Sequence, residues 1–366
     1  MKNILVVYTG GTIGGIKIYD TVSEDLKLKN FISIIESKIS IPNDVNLKYI
    51  APMIKFSEEM YYKDWEMLAN EIKLRIDKSV TDKDGELDGI VIAHGTDTMA
   101  YSCAALSFSL RDHLEIPIIF TGANQTFDVD GSDAITNLED AIVASLEYQL
   151  KGVFLSFSGI KDSNSYIHVG TKVKKFSFAT NSNNFKSYNE DYVGYIEKKI
   201  YSTRKIFKLT NPTLLNNYSD TRIQQEGIPD HIEFEPNVLV VKLYPNIKSI
   251  FIETLLKSCS IKGLVLECYN AGTGPCENID KKYSIIPALQ YAKKTNVPVL
   301  ITSQHEGIVT PDKYDTTDII CQNGGIFMGK VSTECALVKL CWILKHTSDI
   351  EEIKKLLNMN IAGEHS

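Results

Sequence analysis

No apolar stretch in this chain approaches the roughly 18 to 20 residues that a membrane-spanning helix requires. No signal peptide is legible either: Met1-Lys2-Asn3 leads into an apolar run of only five residues, 4–8, and glycines follow at once. Removing such a segment would delete a first strand and the turn at Thr12, so the chain reads as cytoplasmic, with no membrane partner. Lysine and arginine nowhere cluster and the net charge is −7, which makes nucleic acid a poor partner. The pairs Lys198-Lys199 and Lys354-Lys355 read as solvated faces. Paired cysteine spacings are also missing. The seven cysteines, Cys103, Cys259, Cys268, Cys276, Cys321, Cys335 and Cys341, are odd in number and form no CxxC. That argues against a disulfide framework or a zinc site and for reduced, mostly buried thiols. Internal repeats and low-complexity tracts are absent.

What is present is the alternation of a layered α/β protein. At 366 residues the chain exceeds the usual size of one domain, and its 43% hydrophobic content supports substantial cores. Strands are expected at residues 4–8, 89–93, 116–120 and 153–157, with helices near 62–77, 98–114 and 134–150. Within 64–77, Trp65, Leu68, Ala69, Ile72 and Ile76 recur at helical spacing. From about 201 to 235 the periodicity fades into a polar run broken by Asn211-Pro212, Asn216-Asn217 and Gly227-Ile228-Pro229. Alternation resumes with strands at 238–243, 263–267 and 297–301 and helices at 249–258, 284–294 and 333–346. The expectation is an N-terminal α/β domain over 1–205, a linker over 206–235, and a smaller C-terminal α/β domain over 236–366. Each domain is a mainly parallel sheet flanked by helices.

Two turns stand at strand ends, where open α/β sheets bind ligands. The first, Thr9-Gly10-Gly11-Thr12-Ile13-Gly14-Gly15, is neither a GxGxxG fingerprint nor a P-loop, and alone it reads as a tight turn. The second, Ala93-His94-Gly95-Thr96-Asp97-Thr98-Met99-Ala100, alone reads as a helix start that Thr96, Asp97 or Thr98 could cap, and His94 alone reads as a structural histidine. Together, two threonines on two strand ends suggest nucleophilic hydroxyl chemistry.

The pair of turns resembles the two signature blocks of the bacterial-type L-asparaginase family, and most closely its cytoplasmic type I branch. The resemblance covers nearly the whole chain. Asp130-Gly131-Ser132-Asp133-Ala134-Ile135-Thr136-Asn137-Leu138 is similar to a family loop and helix start, and Gly170-Thr171-Lys172-Val173-Lys174-Lys175 to its lysine segment, with Phe185-Lys186-Ser187 downstream. Thr302-Ser303-Gln304-His305-Glu306-Gly307 and the run 325–340 also fit. The resemblance implies an asparaginase-like fold with a flavodoxin-like N-terminal domain, a left-handed crossover, a homodimer or homotetramer, and no metal or organic cofactor.

It also implies the chemistry. Thr12 would attack the side-chain amide of L-asparagine, forming an acyl-enzyme ester that water then releases as L-aspartate. Thr96 and Lys175 would form a pair that moves protons or orients water, with Lys175 selected by the Gly-Thr-basic-x-x-Lys spacing. Lys172 and Lys174 are then expected at the surface. Asp97 would bind the substrate ammonium, and backbone N–H groups around Gly11–Thr12 and Gly95–Thr96 would form the oxyanion hole. Tyr19, the tyrosine available in the loop after the first turn, is assigned beside the Thr12 hydroxyl.

Departures from the family pattern fall on specificity. The segment that usually holds the substrate carboxylate corresponds to Phe56-Ser57-Glu58-Glu59-Met60: Ser57 survives, while Phe56 and Glu58 replace an acidic and a small neutral residue. At about 4 Å and an effective dielectric near 20, Glu58 facing the substrate carboxylate would cost on the order of 4 kcal/mol before screening, roughly several hundredfold in binding. Thr121-Gly122-Ala123-Asn124-Gln125 and Pro275, within Ala271-Gly272-Thr273-Gly274-Pro275-Cys276, also differ. Competing readings are an amidohydrolase for glutamine or another small amide, an asparaginase-like amidotransferase subunit, and a non-catalytic amino-acid sensor. The lack of an added N-terminal domain and of a basic surface counts against the second, and the joint presence of Thr12, Thr96, Asp97 and Lys175 against the third.

Overall fold

The computed structural model describes residues 1–14, 23–80, 85–111, 115–179, 181–197, 205–223, 227–258, 260–276 and 281–365. Tyr19, Gly15, Lys198, Lys199 and Cys259 lie outside them. The chain divides into two units, Met1–Gln224 and Gln225–Ser366. Among the described residues no helix is long and apolar enough to cross a membrane.

The first unit runs β1 (Lys2–Tyr8), α1 (Glu24–Lys38), β2 (Val45–Ile50), α2 (Tyr62–Ser79), β3 (Gly89–Ala93), α3 (Met99–Ser109), β4 (Pro117–Thr121) and α4 (Asp133–Ser145). It continues with β5 (Gly152–Phe157), β6 (Asn164–Val169), β7 (Val173–Lys175), β8 (Phe185–Ser187), β9 (Gly194–Glu197), β10 (Ile206–Leu209) and α5 (Pro212–Ile223). Eight strands form one sheet in the order β10-β9-β6-β5-β4-β3-β1-β2, while β7 and β8 form a separate ribbon. Strands β2, β1, β3, β4 and β5 are parallel; β6, β9 and β10 join antiparallel at one edge. β3, β4 and β5 are buried along their whole length, as Val/Ile-rich strands covered on both faces must be.

The order β2-β1-β3-β4-β5 is the flavodoxin-like one, in which the chain reverses direction across the sheet between β1 and β3. Ligands bind such sheets at that point, beyond the carboxyl ends of the strands. The register Tyr8↔Ala93 ends both strands level, so the turns after β1 and β3 emerge side by side.

The helices differ from expectation mainly at their ends. α2 buries Leu68, Ala69 and Ile72. α3 stops at Ser109 and α4 at Ser145, short of the 114 and 150 that the apolar pattern suggested.

The stretch 206–235 is not a linker throughout. Ile206–Leu209 pairs antiparallel with β9, and Leu214, Leu215 and Tyr218 of α5 are buried in the core of the first unit. The Asn211-Pro212 pair that read as a break is a helix start. The Asn211 carboxamide oxygen accepts from Leu214 N at 3.0 Å, and Pro212 takes the first helical position, where no N–H is needed.

The second unit contains β11 (Val238–Lys242), α6 (Ser249–Ser258), β12 (Gly263–Cys268), α7 (Ile286–Lys294), β13 (Val299–Ser303), α8 (Asp315–Gln322), β14 (Gly325–Phe327), α9 (Thr333–His346) and α10 (Ile350–Asn358). Its four strands are all parallel, in the order β11-β12-β13-β14. β13 begins just after Pro298, which cannot donate to the ladder. The described cysteines are free, and Cys321 alone among them is exposed.

Candidate active site

The turn after β1 is built by close backbone approach. Thr9 gives both its N–H and its hydroxyl to the carbonyl of Ala93 at 3.0 Å. Gly10 and Gly11 follow at φ +104° and +81°, conformations that glycine adopts without strain. A β-carbon on Gly10 would lie 2.3 Å from the Lys55 carbonyl, and one on Gly11 would lie 2.5 Å from the Cα of Gly95. Thr12 then opens a single 3-10 turn, Thr12–Gly14, closed by Gly14 N–H donating to Gly11 at 3.2 Å. Ile13 is fully buried beside it. Thr12 is exposed, and among the described residues its hydroxyl has no hydrogen-bond partner.

The turn after β3 is held from three sides. His94 N–H donates to the Thr121 carbonyl at 2.9 Å, continuing the sheet toward β4. The His94 ring is buried, meets Phe120 edge-on at 5.7 Å, and places Nδ1 2.6 Å from the Gly95 carbonyl. Burial pulls its pKa down from 6.5 to about 4, so the imidazole is neutral near neutral pH.

Ser57 supplies the second side. Its hydroxyl accepts from Asp97 N–H at 3.2 Å, and its carbonyl accepts from the Thr98 hydroxyl at 2.7 Å. Thr98 stands at the cap position of α3 but its hydroxyl makes no capping bond; it serves Ser57 instead. Ser57 is buried, 2% exposed, and a β-carbon on Gly95 would lie 2.6 Å from its Oγ. Glu58 is exposed, with no hydrogen-bond or ion-pair partner among the described residues.

The third side is the loop after β4, to which the sequence pattern assigned no supporting role. A β-carbon on Gly122 would lie 2.6 Å from the His94 carbonyl and 3.2 Å from Cγ2 of Thr96. Asn137 of α4 fixes Gly122. Its amide donates at 3.0 Å to the Gly122 and Ser158 carbonyls, and its Oδ1 accepts from Ser158 N–H at 3.1 Å. Asp133, one turn earlier, accepts from the N–H groups of Asn124 and Gln125. The usable signal was a row of polar residues, Asp133, Asn137 and Asp140, at i, i+4 and i+7 on the buried face of α4.

Lys175 arrives from the β7–β8 ribbon, where it pairs with Phe185. The preceding turn, Gly170–Lys172, packs against α3 and β5: a β-carbon on Gly170 would meet Ser107 Oγ at 2.8 Å and the Val153 carbonyl at 2.9 Å. Lys175 Nζ donates to Thr96 Oγ1 at 2.9 Å and to Asp97 Oδ1 at 2.5 Å. The Lys175 side chain is 20% exposed and that of Asp97 60%. Lys172, expected at the surface, is buried at 1% exposure, because its turn is pressed onto the sheet. Lys174 is also half-buried, lying 4.9 Å from the Tyr188 ring centroid.

Thr96, Asp97, Ser57 and Lys175 are therefore joined by direct hydrogen bonds, and Thr12 follows the glycine that touches Gly95. The group offers an open hydroxyl, a hydroxyl–ammonium pair and a carboxylate. Among the described residues no cluster of three His, Cys, Asp or Glu side chains is arranged to hold a metal.

Comparison with known proteins gives the family. Residues 3–207 match the family described as asparaginase, N-terminal, and residues 237–357 the glutaminase/asparaginase C-terminal domain. A glutamyl-tRNA(Gln) amidotransferase subunit from Methanobrevibacter smithii is 35% identical over 99% of this chain and 77% of its own length. The thermostable L-asparaginase from Thermococcus kodakarensis superposes with a TM-score of 0.78 at 26% identity, covering 100% of this chain and 99% of that one. L-asparaginase I from Vibrio cholerae gives a TM-score of 0.75 at 26% identity, with coverage of 100% and 99%.

Proposed function

The chain belongs to the asparaginase family, and we propose that it hydrolyses the side-chain amide of L-asparagine to L-aspartate and ammonia, as a cytoplasmic enzyme of the type I kind that works as a homodimer or homotetramer. The observation that carries this reading is the bonding of Lys175 Nζ to both Thr96 Oγ1 and Asp97 Oδ1, on a turn whose Gly95 touches the glycine preceding Thr12.

In this reading Thr12 Oγ1 attacks the carboxamide carbon. The carbon–nitrogen bond breaks, the threonine proton leaves with the nitrogen, and ammonia departs from an acyl-threonine ester. A water held by the Thr96 hydroxyl and Lys175 then attacks the ester carbon. Its proton returns to the threonine oxygen, and the acid is released. The resemblance assigns Tyr19, which lies outside the described residues, to the Thr12 hydroxyl. The amides at Gly11–Thr12 and Gly95–Thr96 stabilise the oxyanion in both steps.

Asp97 has a double role. Its carboxylate accepts from Lys175 Nζ at 2.5 Å. A substrate ammonium binding the exposed face of Asp97 competes for that carboxylate and frees Lys175 to serve Thr96.

A second reading is favoured by the 35% identical relative, an amidotransferase subunit acting on glutamyl-tRNA(Gln) by its name. A third reading is hydrolysis of glutamine or another small amide at the same site, since asparagine and glutamine differ by one methylene, which a pocket discriminates by about 1–3 kcal/mol. An ammonia-release screen over L-asparagine, L-glutamine, their D-forms and amides lacking an α-carboxylate separates them, with Thr12→Ala run alongside. Turnover of L-asparagine that vanishes in Thr12→Ala is expected. Preference for glutamine would favour the glutamine reading, ammonia release that rises only on adding glutamyl-tRNA(Gln) would favour the amidotransferase subunit, and unchanged activity in Thr12→Ala would remove the nucleophile.

A further inference from the structure

His94 is a buried titratable side chain two residues before Thr96, and the reaction sequence above gives it no task. Its Nδ1 lies 2.6 Å from the carbonyl of its own neighbour, Gly95. A carbonyl oxygen only accepts, so Nδ1 carries the proton. Nε2 is then a bare acceptor, buried and without a hydrogen-bond partner among the described residues. The ring is thus committed to one bond, and that bond ends on the peptide between Gly95 and Thr96.

We propose that His94 is a positioning residue that sets the plane of the Gly95–Thr96 peptide and so aims the Thr96 N–H as an oxyanion donor; this rests on the amide-hydrolysis reading. In a trans peptide the C=O and N–H point in opposite directions. Drawing the Gly95 carbonyl onto the buried ring turns the Thr96 N–H away from the interior. That N–H has no hydrogen-bond partner among the described residues, in contrast to the next one, which Ser57 Oγ accepts at 3.2 Å.

A tether is needed here because position 95 must be glycine. A β-carbon would stand 2.6 Å from Ser57 Oγ and 2.8 Å from its Cβ. Glycine leaves a peptide free to rotate between alternative planes, so the residue that permits the close approach also removes the stiffness a fixed donor requires. The His94 backbone is itself fixed, by its bond to Thr121 and by Gly122 packing against its carbonyl. Nδ1 carries a proton in the neutral ring and in the imidazolium alike, so the tether does not depend on the charge of the ring.

The test uses two variants of the full chain. His94→Phe keeps a ring against Phe120 but has no donor. His94→Asn places an amide N–H where Nδ1 stands. An oxyanion donor acts in the transition state, so misaiming it lowers kcat and spares KM. For His94→Phe the expected loss in kcat is about 10²–10³-fold with KM little changed, and crystal structures should show the Gly95–Thr96 peptide rotated. His94→Asn should recover most of kcat with the wild-type peptide plane. An unrotated peptide and wild-type kcat in His94→Phe would overturn the proposal, as would a His94→Asn variant that folds, keeps the plane and is as impaired as His94→Phe. Should His94→Phe fail to fold, His94→Asn alone decides between recovery and loss. A rotated peptide in a chain whose wild type releases ammonia from no amide would leave the positioning intact and remove the hydrolase reading instead.

Discussion

Gly11 and Gly95 meet backbone to backbone: a β-carbon placed on Gly11 would stand 2.5 Å from Cα and 2.6 Å from N of Gly95. Each glycine immediately precedes a threonine. The two motifs that carry the family likeness are therefore one packed object, and the separation of Thr12 from Thr96 is set by two residues that lack side chains.

Gly11→Ala tests that object directly. The substitution combines a φ of +81° with overlap against an immovable backbone, and displacing the turn by about 1 Å is enough to cost roughly 10²-fold in rate. Gly85→Ala is the control, because Gly85 has a similar φ of +84° but its nearest neighbour would be 3.4 Å away. It should lose only about 1 kcal/mol of stability and keep its kcat. Equal kcat in the two variants would show that the contact does not set the site.

Lys175→Met removes the donor shared by Thr96 and Asp97 while keeping most of the stem. General acid–base work is worth about 10²–10⁴-fold, and a loss of that size in kcat is expected, with the fold unchanged by circular dichroism. Asp97→Asn should act differently, raising KM for amino-acid amides more than for amides that carry no ammonium. Ammonia release assayed on both substrate classes distinguishes the two roles.

Glu58 is exposed, which screens it, so its effect on a substrate carboxylate is smaller than close contact would give. Glu58→Ser is expected to lower KM for L-asparagine by about threefold to tenfold, with kcat unaltered. Raising ionic strength should shrink the difference. A KM that does not move would mean that the carboxylate faces away from the substrate.

Acid should destabilise the protein through two buried histidines. Burial lowers His94 and His168 from 6.5 to about 4. The folded state therefore binds fewer protons than the unfolded state between those values, and stability falls as pH drops from about 6.5 to 4. The linked loss is on the order of 3 kcal/mol for each ring. Denaturant midpoints at pH 7, 5.5 and 4.5 should decline accordingly, and His168→Asn should flatten that decline. A midpoint independent of pH over this interval would contradict the burial of neutral rings.

Parallel strands covered on both faces were legible in the sequence, whereas β2, the antiparallel edge strands β6, β9 and β10, the ribbon β7–β8 and the short β14 were not. Residues 89–93 and the helices at 249–258 and 333–346 match β3, α6 and α9, because burial on both faces, or a regular apolar stripe, writes itself into composition. Asn211-Pro212 misled for an equally physical reason. The same dipeptide suits a turn and a helix start, and what decides is whether an apolar surface waits for Leu214, Leu215 and Tyr218. Lys172 misled likewise, since a long cationic side chain gives no local sign of the sheet its turn is pressed against.

By itself the sequence determined the chemistry-bearing turns and their dependence on glycine, because backbone conformation and close approach are local demands that few residue types can meet. Only the tertiary structure decided that Lys175 reaches both Thr96 and Asp97, that Ser57 braces the turn, and that Asn137 backs Gly122. Those partners come from separate elements of the chain, and the strand order that gathers them is a property of the whole packed sheet.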